Sequence, residues 1–167
     1  EFRRVLFRSQ FTIIYGKGDV GKTSVAIYSE APVIIPVGTE RNHRRFPVHK
    51  MENAKGKAPL LHLFECMQFL STKEHSRKTV IIDNLSEFRK ETELDVIATF
   101  PVKEGVKAEN FGDFSYGKGQ AYAFNYYTRL ITGIDKLLDK GMHVILIAHE
   151  SAHTINLPDG SYYHEIG

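Results

Sequence analysis

The chain has 167 residues, 42% of them hydrophobic and 25% charged, the size and composition of one globular domain with a single sizeable core. Its net charge of +2 sits entirely in the first nine residues, where Arg3, Arg4 and Arg8 outweigh Glu1 and leave 19 basic and 19 acidic residues elsewhere, so overall charge carries no argument about a nucleic-acid partner. No apolar run is long enough to span a bilayer, the N-terminal segment lacks the apolar stretch and cleavage site of a secretory signal, and the lone Cys66 cannot form an internal disulfide; a cytoplasmic location without a membrane partner is the default expectation.

Residues 1–9 read as translated cloning-site or adapter sequence, the alternative being a short basic natural arm, and are set aside from the fold. Residues 10–167 are expected to form one domain, incomplete at its C-terminus. Phe11-Thr12-Ile13-Ile14-Tyr15 is a short β-branched and aromatic run closed by glycine, which predicts a buried strand. Residues 22–30 predict a helix with Val25, Ala26 and Ile27 inward, stopped by Pro32. Residues 33–37 are a second strand, which Pro36 places at a sheet edge.

Residues 41–57 are polar and basic and predict a loop. Residues 60–70 predict a helix with Leu60, Leu63, Phe64, Met67 and Leu70 on one face. Residues 79–83 are a third strand ending in Asp83, and a helix starts near Leu85. Residues 101–119 predict a long surface loop. Residues 121–140 predict a helix with Leu130, Ile134, Leu137 and Leu138 on one face and Gly141 past its end. Residues 143–148 are a fourth buried strand, residues 157–160 a turn, and residues 161–166 a fifth strand. Strands alternating with helices predict an α/β fold with a parallel sheet.

The first strand runs into Gly16-Lys17-Gly18-Asp19-Val20-Gly21-Lys22-Thr23 and then a helix, the strand–G-x-x-x-x-G-K-[ST]–helix context of a phosphate-binding loop, or P-loop. Glycines let the backbone wrap with its N–H groups inward, and the helix start adds unpaired donors. Residues 16–24, ending at Ser24, are thus the predicted nucleotide site. Lys22 reaches the phosphates, and the Thr23 hydroxyl is a predicted Mg²⁺ ligand. Asp83, closing an apolar strand, has the setting of the acid that binds Mg²⁺ in such sites; a helix-capping Asp is the other reading.

Four segments together give the chain a family likeness: residues 14–23, 80–85, 115–119 and 141–149. On these it resembles phage-type ATPases with a RecA-like core, related to single-strand-annealing and recombination proteins. The resemblance implies strand order 5-1-4-3-2 and a homo-oligomer of such subunits in a phage or bacterial host cytoplasm. It implies that Glu40, after the second strand, activates the attacking water; a solvated loop glutamate is the alternative. The flanking Thr39 and Arg41 depart from the family pattern at that place. His149 falls where such proteins sense the γ-phosphate, the alternative being a strand-end histidine bonded to backbone. Residues 101–119 and 150–160 correspond to loops that contact DNA, with Lys103, Lys107, Lys118 and Tyr116 as candidate contacts and Glu104, Glu109 and Asp113 opposing them.

His149-Glu150-Ser151-Ala152-His153 also matches H-E-x-x-H, a zinc-protease motif that works only on a helix. Its β-rich surroundings argue against that reading. Cys66, beside Phe64 and Met67, reads as core rather than reactive. Arg41, Arg44, Arg45 and Lys50 read as a solvated basic loop, with phosphate or strand contact as the alternative. The expected function is Mg²⁺-dependent ATP hydrolysis coupled to single-stranded DNA recombination or annealing. A nucleotide-gated DNA-binding module without useful catalysis and a small-molecule kinase are the competing readings.

Overall fold

A computed structural model describes residues 9–38, 42–103, 105–150, 152–156 and 162–166. Its centre is a parallel sheet built from β1 (Phe11–Gly16), β2 (Pro32–Pro36), β3 (His49–Lys50), β4 (Thr79–Asp83) and β7 (His143–His149), in the order β1-β7-β4-β2-β3. Helices α1 (Lys22–Ala26), α2 (Pro59–Thr72), α3 (Leu85–Thr99) and α4 (Lys118–Asp139) flank it. The remaining described strands form two small antiparallel pairs: β5 (Pro101–Lys103) with β6 (Val106–Lys107), and β8 (Ala152–Asn156) with β9 (Tyr162–Ile166).

Every residue of β4 is buried, because parallel strands covered on both faces exclude water from successive side chains. Val33, Ile35, Val80, Ile82, Val144 and Leu146 point to one face, where α2, α3 and α4 supply Leu63, Met67, Phe88, Leu130, Ile134 and Leu137. Ile34, Ile81 and Ile147 point to the other and meet Ala26 of α1, with Ile27 and Val48 packed alongside. Helix α2 presents the expected stripe: Leu60, Leu63, Met67 and Leu70 are buried and Phe64 is half-buried. Helix α3 starts where Asn84 accepts the Glu87 N–H at 2.8 Å, a side-chain cap for one of the helix's orphan donors. Helix α4 closes with Gly141 N–H bonded to Leu138 O and Met142 N–H to Leu137 O, the paired bonds of a glycine-terminated helix end.

The four long strands stand in the expected order, and the fifth position differs. Residues 162–166 pair with 152–156 instead of flanking β1. Five residues separate β8 from β9, a hairpin-length connection, whereas a parallel neighbour needs a crossover of about a dozen residues. The fifth strand of the sheet is β3, which pairs with Val33 and Ile34 only. Strand β2 is therefore flanked on both sides at its start and near-edge at its end. Pro36 lies beyond the reach of β3, where its missing N–H costs no ladder bond.

Four local expectations are also corrected. Strand β1, expected to be buried, stands at the sheet edge with Phe11, Ile13 and Tyr15 exposed. Helix α1 stops after five residues instead of running to residue 30, and its Val25 is exposed while Ala26 is buried. Residues 27–31 turn instead, with Ala31 at φ +42, and Glu30 O accepts the Thr79 hydroxyl at 2.9 Å. Residues 101–117 are not a free surface loop: Ala108 and Phe114 are buried against Val96 and Ala123, and Phe100 stacks on Tyr122 at 4.0 Å with their planes 4° apart. Aromatic side chains in this glycine-rich stretch find α3 and α4, which overrides its polar composition. The turn expected at residues 157–160 lies outside the described residues, as do residues 1–8.

Cys66 is 5% exposed, and burial pushes its thiol up to about 11 from 9.0. It is therefore expected to resist alkylation at pH 8 in the folded chain and react promptly once the chain is unfolded, checked by iodoacetamide labelling with and without denaturant. Between pH 9 and 11 the unfolded chain releases a proton that the folded chain keeps, so this thiol's contribution to stability falls as pH rises through that window, relative to Cys66→Ala.

Candidate nucleotide site

Strand β1 ends at Gly16, and the chain reverses through residues 17–21 before α1 begins. Gly21 stands at φ +88 immediately before the helix, a left-handed conformation that a Cβ would disfavour. Asp19, at φ +57, takes the same region, which aspartate tolerates better than most residues. The Val25 N–H bonds back to Gly21 O at 3.0 Å.

Lys22 is buried, 7% exposed. Its ammonium donates to Gly16 O at 2.7 Å and Lys17 O at 2.5 Å, and lies 3.2 Å from His149 Nδ1. An ammonium has no lone pair, so the histidine nitrogen facing it is the acceptor of the pair. His149 closes β7 in register with Gly16, and its backbone N–H donates to Ser86 Oγ at 3.3 Å. The Glu150 N–H then bonds Gly16 O at 3.0 Å. The strand end thus holds both the loop's first carbonyl and, through the ring, its lysine.

Thr23 Oγ1 donates to Asp83 Oδ2 at 3.1 Å across 60 residues of sequence. Asp83 is the last residue of β4 and 2% exposed. It does not cap α3, a role that Asn84 fills. Lys22 and Thr23 at the start of α1 therefore converge with Asp83 at the end of β4 and His149 at the end of β7. For Mg²⁺ the donor set fits: a hydroxyl and a carboxylate are hard oxygen ligands, and this ion takes one or two from a protein while keeping phosphate and water for the rest.

The cleft here is lined by Asp19 and residues 21–24 of the loop and helix, by His149, and by Arg45 and Phe46. Ser24 joins the expected set as a lining residue. Sequence reading placed Arg45 in a basic loop and passed over Phe46; the one signal was an aromatic ring in an otherwise polar stretch. Ser86 also went unseen, since only the fold brings it to His149. Glu40 lies outside the described residues. Gly38, the last described residue before it, stands at φ +69 against Glu87, whose Oε2 would lie 2.4 Å from an added Cβ. The left-handed φ favours glycine here, and a larger residue would also have to displace the Glu87 side chain.

The zinc-protease arrangement is absent. His149 ends β7 and His153 lies in β8, so no helical turn spaces them, and among the described residues no group of three or more His, Cys, Asp or Glu is placed to hold a metal. No helix of the described residues is long and apolar enough to cross a membrane.

No curated protein matches the chain. A family model does, over residues 8–167, and its description is an AAA domain. That span holds the whole sheet, the loop and every site residue above, and a five-stranded parallel sheet between helices agrees with an ATPase-type nucleotide-binding domain. The chain belongs to the AAA domain family.

Proposed function

We propose that the protein binds ATP with Mg²⁺ and hydrolyses it, and that turnover is coupled to single-stranded DNA. The observation that carries the nucleotide part is the convergence of the Lys22 ammonium with the Thr23–Asp83 pair at the mouth of a glycine-rich loop. In this reading the amides of residues 16–24 and Lys22 hold the phosphates. With α1 only five residues long, the loop amides and the lysine carry most of that charge compensation, and the helix dipole little.

Thr23 and Asp83 would hold Mg²⁺, which supplies further neutralisation of phosphate charge when bound. Glu40 would hold the attacking water in line with the γ-phosphate, where position matters more than basicity. His149, already against Lys22, would bond the γ-phosphate. The DNA part rests on the resemblance and on the exposure of Lys103, Lys107 and Lys118, with a homo-oligomer as the acting form.

Titration with labelled ATP plus Mg²⁺, followed by single-turnover hydrolysis with and without single-stranded DNA, tests the reading. Saturable, Mg²⁺-dependent binding and DNA-accelerated phosphate release are expected. ATP-dependent DNA binding with no turnover would make the protein a gated binding module, and phosphate transfer to an acceptor other than water would make it a kinase. Well-folded protein that takes up no nucleotide would end the proposal.

A further inference from the structure

The connection from β2 to β3 is pinned at both ends. At its start the Val37 N–H donates to Asp83 O at 2.7 Å. At its finish Val48 packs into the cluster of Ala26, Ile34, Ile81 and Ile147, and the Met51 N–H bonds Ile34 O at 2.9 Å. Val48 thus lies on the same sheet face as α1, and shortly before it the 3₁₀ turn Asn42–Arg45 ends at a residue that shares a cleft with the phosphate loop. The turn brings Arg45 into the cleft lined by Lys22, Thr23 and Ser24, while Arg44 is exposed and is not part of that lining.

We infer that Arg45 is a second cation for the polyphosphate tail of the bound nucleotide, supplied by the same chain that carries Lys22. The inference rests on the nucleotide-binding reading above and extends it. A guanidinium presents a fork of donors that matches two phosphate oxygens, whereas the lysine acts as a point charge. The two cations differ in setting as well: Lys22 is buried in the loop, and Arg45 reaches the cleft from solvent. Its contribution is accordingly smaller and more sensitive to salt.

The test compares wild type, Arg45→Ala, Arg45→Lys and Arg44→Ala in equilibrium binding of ATP, ADP, AMP and adenosine with Mg²⁺. Arg45→Ala is expected to weaken ATP binding about tenfold, the lower range for a charge-assisted bond at an exposed site. ADP binding should weaken less and adenosine not at all, with partial recovery in Arg45→Lys and no change in Arg44→Ala. Three results overturn the inference while leaving the site reading intact: unchanged ATP affinity in Arg45→Ala, equal losses for ATP and adenosine (a nucleobase contact), or equal losses from Arg44→Ala and Arg45→Ala (a diffuse field). A wild-type protein that binds none of these ligands overturns the site reading itself, and this inference with it.

Discussion

Lys22→Ala is expected to lower affinity for ATP by more than a hundredfold while the chain remains folded. The ammonium makes two bonds to loop carbonyls and meets His149, so it is held at the point where phosphate charge would enter. Losing one charge-assisted contact costs about 1.5–3 kcal/mol, and this group is buried, where the interaction is less screened. Loss of about 3 kcal/mol corresponds to a factor above one hundred in Kd. Calorimetric titration of both proteins measures it, with circular dichroism to confirm the fold. Affinity retained in the variant would show that the loop does not hold phosphate in the assigned way.

The largest expected effect on stability comes from Phe88→Ala, with a cost of about 3–5 kcal/mol. Phe88 is 0% exposed. Its ring meets Phe64 edge-on at 6.4 Å and Tyr127 at 5.2 Å, so it joins α3 to both α2 and α4 over the sheet. Truncation leaves a cavity between three helices, none of which can collapse into it without disturbing the others. Chemical denaturation should show a lower midpoint with an unchanged slope. A change below about 1 kcal/mol would mean that this cluster relaxes freely, contrary to its packing.

The parts of this fold that were legible in the sequence are those whose signal is contiguous. The runs ending at Asp83 and Ala148 are apolar because sheet and helices cover them, and the loop of residues 16–23 is a single unbroken motif. The α2 and α4 stripes follow from helical spacing alone. What could not be read depends on distant partners. Val25 has the right spacing for an inward face, yet α1 ends too soon to carry that face far. Phe114 and Ala108 sit in a polar stretch and are buried only because α3 and α4 lie beneath them. Arg45 lines the cleft within a polar stretch flanked by Val37 and Val48, whose contacts with Asp83 and the sheet have no local signature.

Strand β7 lies between β1 and β4. The loop strand and the acid strand are consequently held two interstrand steps apart, about 9.5 Å at the usual spacing. That distance is a ruler made of main-chain hydrogen bonds. Side-chain replacement can change what the gap recognises, but its width is a property of the backbone and is inherited by any sequence that keeps the ladder.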